Sequence, residues 1–126
     1  MMENQQTGEQ AWLDLTVDNA EEIKSFYQDV IGWKSEAVSM GEYEDFTMIS
    51  AESRQAVSGI CHARGGNKDL PPMWLPYFLV EDVASATEQV KLQGGHLVTP
   101  IKTMGKDKYV VIKDPAGAAC ALYQKG

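Results

Sequence analysis

The sequence predicts an α+β fold built from two tandem βαβββ modules, and three observations carry that prediction. Shifted against itself by 63 residues without gaps, the chain falls into register: Val17 meets Val80, Gly32 meets Gly95 and Ile49 meets Ile112. Similar residues also meet, among them Leu15 with Phe78, Tyr27 with Val90 and Phe46 with Tyr109. Within each half, apolar spacing changes from period 2 to helical period and back to period 2. Turn glycines punctuate both halves at the same offset.

The elements follow in order. Residues 1–9 are polar and expected to be flexible. From Ala11 to Val17, Leu13, Leu15 and Val17 alternate with Trp12, Asp14 and Thr16, which predicts a strand with one face on a core. Asn19 with Glu22 reads as a capping box for a helix carrying Ala20, Ile23, Tyr27 and Val30, and Gly32 ends it. Strands are expected near Lys34–Val38, Tyr43–Ser50 and Gln55–His62, with Glu42–Asp45 as a solvated turn. The stretch Ala63–Met73, with two glycines and two adjacent prolines, connects the modules, module 1 covering about 10–62 and module 2 about 74–124. The second half repeats the plan: a strand over Leu75–Val80, a helix capped by Asp82 and stopped at Gly94 and Gly95, then strands near His96–Ile101, Asp107–Lys113 and Ala118–Gln124. Asp114-Pro115-Ala116-Gly117 has the residues of a tight turn. Neither module can bury a whole sheet face alone, so residues 1–126 are read as one domain.

The bulk numbers bound the function. The 126 residues carry eighteen acids against eleven bases, a net charge of −7, which repels nucleic acid and anionic membranes. No run approaches the ~18 apolar residues of a membrane span. The first ten residues lack the basic and apolar regions of a signal peptide, so a cytoplasmic location is expected. Cys61 and Cys120 have no CxxC partner and read as small apolar strand residues. His62 and His96 are scattered, and neither reads as a metal ligand.

The order of Ser25-Phe26-Tyr27, Ile31-Gly32-Trp33 and Lys113-Asp114-Pro115-Ala116-Gly117 within the repeat resembles the vicinal oxygen chelate superfamily of glyoxalases, bleomycin-resistance proteins and extradiol dioxygenases. The resemblance covers about Ala11 to Tyr123 and points to the glyoxalase-like branch. It implies a U-shaped mixed sheet around a cavity, commonly in a homodimer. In metal-dependent relatives, ligands stand seven residues before each helix-opening Asn or Asp and seven after the Asp of Asp-Pro-x-Gly. Those positions here are Trp12, Leu75 and Ala121, and the 63-residue offset adds Ser58. One neutral hydroxyl and three side chains without donors cannot hold Zn, Ni, Fe or Mn. The expectation is therefore no metal, no cofactor, and no chelate chemistry.

Strand alternation then places Trp12, Asp14 and Thr16 inward, with Leu75, Tyr77 and Leu79, with Ala56, Ser58 and Ile60, and with Ala119, Ala121 and Tyr123. Leu13, Leu15, Val17, Phe78 and Val80 are expected under the helices. Asp14 is the carboxylate of this inward set. Beside Trp12, Tyr77 and Tyr123 it would anchor an amine by charge and cation–π contact, or act as a catalytic base. The leading reading is a metal-independent small-molecule binding protein that sequesters a drug or metabolite. The alternative is a glyoxalase-related lyase, isomerase or dioxygenase-type enzyme, and whether the chain turns over its ligand stays open.

Overall fold

The computed structural model describes residues 4–126 and is α+β, with nine strands, two helices and a short 3₁₀ turn. The elements are β1 (Gln10–Val17), α1 (Ala20–Ile31), β2 (Lys34–Ser39), β3 (Glu44–Ile49), β4 (Ala56–His62), the 3₁₀ turn (Gly65–Asn67), β5 (Trp74–Leu79), α2 (Val83–Leu92), β6 (His96–Leu97), β7 (Lys102–Met104), β8 (Asp107–Lys113) and β9 (Ala119–Gln124). The repeat is kept at the level of elements. Ala20, Glu44 and Ala56 open α1, β3 and β4, and the residues 63 further on, Val83, Asp107 and Ala119, open α2, β8 and β9.

The chain forms two compact units: Leu13–Trp74, and residues up to Trp12 together with Leu75–Gly126. In the first, the strand order is β2-β3-β4-β1, with β1 and β4 parallel and the other pairs antiparallel. Leu15, Ala20, Phe46, Met48 and Ile60 form its core, and Val17, Ile23, Tyr27, Trp33 and Trp74 pack against it. In the second, the order is β5-β9-β8-β6, with β7 also on β8 and β5 parallel to β9. Its core of Val83, Val110 and Ile112 is flanked by Val80, Val90, Leu97, Cys120 and Leu122. Among the described residues no helix is long and apolar enough to cross a membrane.

Several local expectations need correction. Asn19 stands at the N-cap of α1, yet its side chain makes no capping bond. Its Nδ2 instead donates to Glu22 Oε2 at 2.8 Å, so the two side chains satisfy each other rather than the backbone. Asp82 does cap α2, accepting from the Ala84 N–H (3.2 Å) and the Ser85 hydroxyl (2.7 Å). Gly32 ends α1 in the left-handed region (φ 87°), as a helix stop requires. The strand expected over His96–Ile101 is broken into β6 and β7. Pro100 has no N–H for the ladder, while the N–H groups of Val98 and Thr99 both reach the Val111 carbonyl (2.8 and 3.2 Å). Asp45 belongs to β3 and is 8% exposed, so it is not part of a solvated turn. Of the N-terminal nine residues, 1–3 lie outside the described residues. Gly8 donates its N–H to the Leu79 carbonyl at 2.8 Å, and the Leu79 N–H donates to the Glu9 carbonyl at 3.0 Å.

Candidate functional site

The two units differ in which side chains occupy the sheet face away from the helix. In the parallel ladder of residues 13–74, Asp14 stands beside Gly59, Leu15 beside Ile60 and Thr16 beside Cys61. Paired residues of a ladder share a face, and i, i+2 neighbours share it too. Leu15 and Ile60 both pack in the core under α1. Asp14, Thr16, Gly59 and Cys61 therefore occupy the opposite face, joined by Thr47, which stands across from Gly59.

Ser58 falls on the helix side. It is paired with Met48, a core residue under α1, and its Oγ is buried with no hydrogen-bond partner. Ala56, Ser58 and Ile60 were expected on the face of Asp14; for Ser58 and Ile60 the ladder register reverses that. A β-bulge contributes to the local irregularity: Met48 faces Ser58 but Ile49 faces Ala56, leaving Val57 unpaired. In the second unit the expected faces hold. Tyr77 stands beside Ala121, and Val80, Cys120 and Leu122 pack towards α2.

The helix-distal face of residues 13–74 is polar. Asp45 accepts the His62 N–H at 2.8 Å, and His62 Nδ1 lies 3.5 Å from the same Oδ1. Burial, together with the nearby charges of Asp14 and Asp45, pushes the Cys61 thiol far above its ordinary pKa. Cys61 is therefore held as a neutral thiol rather than as a thiolate. Thr16 is 3% exposed, whereas Asp14 and Cys61 are half-buried. This unit holds eleven acids against five bases, so it carries most of the chain's negative charge.

In the other unit, Tyr77 and Tyr123 come together as the sequence predicts (centroids 6.2 Å apart). Tyr109, the repeat partner of Phe46, completes the cluster and stacks on Tyr123 at 6.3 Å. All three are buried. The Tyr123 hydroxyl donates to Asp107 Oδ2 at 2.5 Å, and the Gly126 N–H donates to Asp107 Oδ1 at 2.7 Å. Burial and that carboxylate push the Tyr123 hydroxyl well above its ordinary pKa, and the same bond holds Asp107 below its own. Leu75 and Ala121 are buried in this unit and Trp12 is half-buried. Asp14 falls in the unit of residues 13–74, and Trp12, Tyr77 and Tyr123 fall in the other.

The residues do not fit a divalent cation. Trp12, Leu75 and Ala121 offer no donor, Ser58 is buried on the helix side, and Gly59, which replaces it beside Asp14, has no side chain. Among the described residues no group of three or more His, Cys, Asp or Glu side chains is arranged for a metal. Sequence reasoning missed Asp45, Thr47 and Cys61 as neighbours of Asp14. Alternation along each strand was legible, but the parallel register that joins β1 to β4 was not.

The comparisons with known proteins agree with this architecture. A family model of the Glyoxalase/Bleomycin resistance protein/Dioxygenase superfamily matches residues 9–122. The chain is 30% identical over 131 residues to the anthracycline biosynthesis protein DnrV of Streptomyces peucetius, covering 94% of this chain and 48% of that protein. It spans about half the length of the curated relatives it matches. Among solved structures, a glyoxalase/bleomycin resistance protein/dioxygenase superfamily member from Vibrio splendidus 12B01 is similar at TM-score 0.60 and 12% identity, covering 90% of this chain and 97% of that one. A methylmalonyl-CoA epimerase in complex with methylmalonyl-CoA and NH4+ is similar at TM-score 0.58 and 10% identity, with 96% of each chain covered. At such identities these two likenesses concern the fold alone.

Proposed function

This chain belongs to the glyoxalase/bleomycin resistance protein/dioxygenase superfamily, and from that premise we propose that it is a metal-independent small-molecule binding protein that recognises an amine-bearing drug or metabolite through Asp14. One observation carries the reading. The helix-distal face of residues 13–74 presents Asp14 with Thr16, Thr47 and Cys61, where an ordinary sheet face would pack apolar side chains. A half-buried carboxylate in such surroundings binds a cation through charge-assisted hydrogen bonds, which are about twice as strong as neutral ones. The acidic balance of the unit supports the same sign of ligand.

The likeness to a protein named for anthracycline biosynthesis suggests the probe, since an anthracycline with an amino sugar joins a planar aromatic system to an ammonium group. Isothermal titration with that compound and with its neutral aglycone tests the proposal. The amine is expected to bind more tightly, and Asp14→Asn to weaken it about tenfold while leaving the aglycone unchanged. Equal affinity of Asp14→Asn and the parent protein for the amine would remove the proposal. Tyr77 and Tyr123 are further proposed contacts for the polar part of the ligand and Trp12 for its apolar part, with Leu75 and Ala121 as proposed lining. Tyr77→Phe tests the contact of its hydroxyl. An enzyme using Asp14 as base would consume its ligand, so recovery of intact compound after incubation separates binding from turnover.

A further inference from the structure

We propose a second binding site, for a small aromatic ammonium ion, on the helix side of residues 13–74. It lies on the opposite sheet face from Asp14 and does not rest on the reading of that carboxylate. A cavity of about 300 Å³ opens between α1 and the segment Pro72–Trp74, with Asn19, Ile23, Phe26, Tyr27, Met73 and Trp74 among its lining residues. That volume is at the lower end of the range for small-molecule sites.

The walls are built for an aromatic guest. Trp74 Nε1–H donates to Tyr27 Oη at 3.1 Å and fixes the two rings edge to face, 5.2 Å apart. Phe26 meets Tyr27 edge to face at 5.0 Å and is 54% exposed, so one ring of the wall remains open to solvent. The cavity also offers acceptors. Tyr27 Oη keeps a second lone pair after accepting from Trp74. The Asn19 side chain makes no helix cap, and its Nδ2 holds Glu22 at 2.8 Å, which brings a carboxylate to the rim.

The charge balance selects a cation. No basic residue lines the cavity. The first turn of α1 carries Glu21 and Glu22, two full negative charges against the roughly half positive charge of a helix N-terminus. The same unit already places its own cations on aromatic faces: Lys24 Nζ lies 4.6 Å from the Phe46 centroid, and the Arg64 guanidinium carbon 4.4 Å from that of Tyr43. Among the described residues, no lysine or arginine lies over the faces of Phe26, Tyr27 or Trp74. An ammonium tethered to a small ring supplies it, with the ring against Ile23 and Met73 and the charge between Asn19, Glu22 and the aromatic faces.

Protein-observed NMR titration of the full chain with 2-phenylethylammonium, 2-phenylethanol and phenylacetate tests the site. The ammonium is expected to shift the side-chain signals of Trp74 and Met73, with the alcohol about fivefold weaker and the carboxylate weaker still. Phe26→Ala, at an exposed ring, is expected to weaken the ammonium about fivefold, and Glu22→Gln about threefold. Asp14→Asn should leave the titration of the Trp74 and Met73 signals unchanged. Equal binding of the alcohol and the ammonium, or unchanged affinity in both Phe26→Ala and Glu22→Gln, would overturn the proposal. So would a loss of those shifts in Asp14→Asn, which would assign the ammonium to the other face. Failure of the Asp14 site with retained binding here would leave this second site standing.

Discussion

Asp14 stands beside Gly59 in its parallel ladder, whereas Tyr77, its repeat counterpart, stands beside Ala121, the counterpart of Ser58. The two modules therefore differ by one residue in the register that joins their first and last strands. Because side chains alternate, a slip of one residue exchanges the faces of a whole strand. It puts Ser58 and Ile60 beneath α1 and brings Cys61 to the face of Asp14.

Ser58→Ala is the direct test of that slip. The Ser58 hydroxyl is buried without a hydrogen-bond partner, so its removal is expected to stabilise the fold by about 1 kcal/mol. Urea unfolding should show a higher midpoint with an unchanged slope, and affinity for the amine probe should not change. A destabilisation of similar size would show that the hydroxyl is bonded and the assignment wrong.

Cys61 should resist alkylation. Burial comes first, and the charges of Asp14 and Asp45 add to it, so the thiolate is disfavoured more strongly at Cys61 than at Cys120, where burial and Asp114 act. Timed iodoacetamide labelling of the native protein at pH 8, read by peptide mass spectrometry, is expected to modify Cys120 first. Asp45→Asn should accelerate Cys61, because it removes one of the two charges. Faster labelling of Cys61 than of Cys120 in the parent protein would contradict this account.

The Tyr123–Asp107 hydrogen bond predicts a stability that falls at both ends of the pH scale. Asp107 is held below its ordinary pKa chiefly by the Tyr123 hydroxyl, so its contribution is present above about pH 4 and lost as pH falls below that. Tyr123 is raised chiefly by burial and then by Asp107, so its contribution is present below about pH 10 and lost as pH rises past it. Tyr123→Phe is expected to cost about 1 kcal/mol near neutrality, the lower end for a charged partner because Asp107 is near solvent. It should also flatten both limbs of a plot of unfolding free energy against pH. Unaltered limbs would mean that the bond is not formed in solution.

Divalent metals should neither load nor stabilise the protein. Tag-free protein incubated with Zn, Ni, Fe(II) or Mn and desalted is expected to retain well under one ion per chain by elemental analysis. Its melting temperature should stay within about 1 °C, since a ligand that binds only the native state raises it. Stoichiometric retention with a clear rise in melting temperature would show donors outside the positions of Trp12, Ser58, Leu75 and Ala121.

Much of the fold was legible because the signals are local. Asp82 and Gly32 end their helices through bonds within one turn. Asp114 accepts from the Ala116 and Ala118 N–H groups, and Gly117 adopts φ 87°, as the turn sequence requires. The split between β6 and β7 follows from Pro100, a signal present in the sequence but outweighed by its apolar neighbours. The candidate site was legible only in part. Asp14 could be placed on a face by alternation along β1, yet its partners come from β4 and β3, more than 30 residues away in the chain.

The sequence by itself determined the two modules, the starts of their helices and main strands, and the absence of chelating side chains at Trp12, Leu75 and Ala121. These depend on residue identity, short-range spacing and a constant 63-residue offset. Only the tertiary structure decided which residue of β4 stands beside Asp14, that Asp45 leaves solvent to accept the His62 N–H, and that Trp74 donates to Tyr27 across 47 residues. Ladder register and ring packing are set by the joint burial of distant segments, and period-2 alternation is the same before and after a one-residue slip.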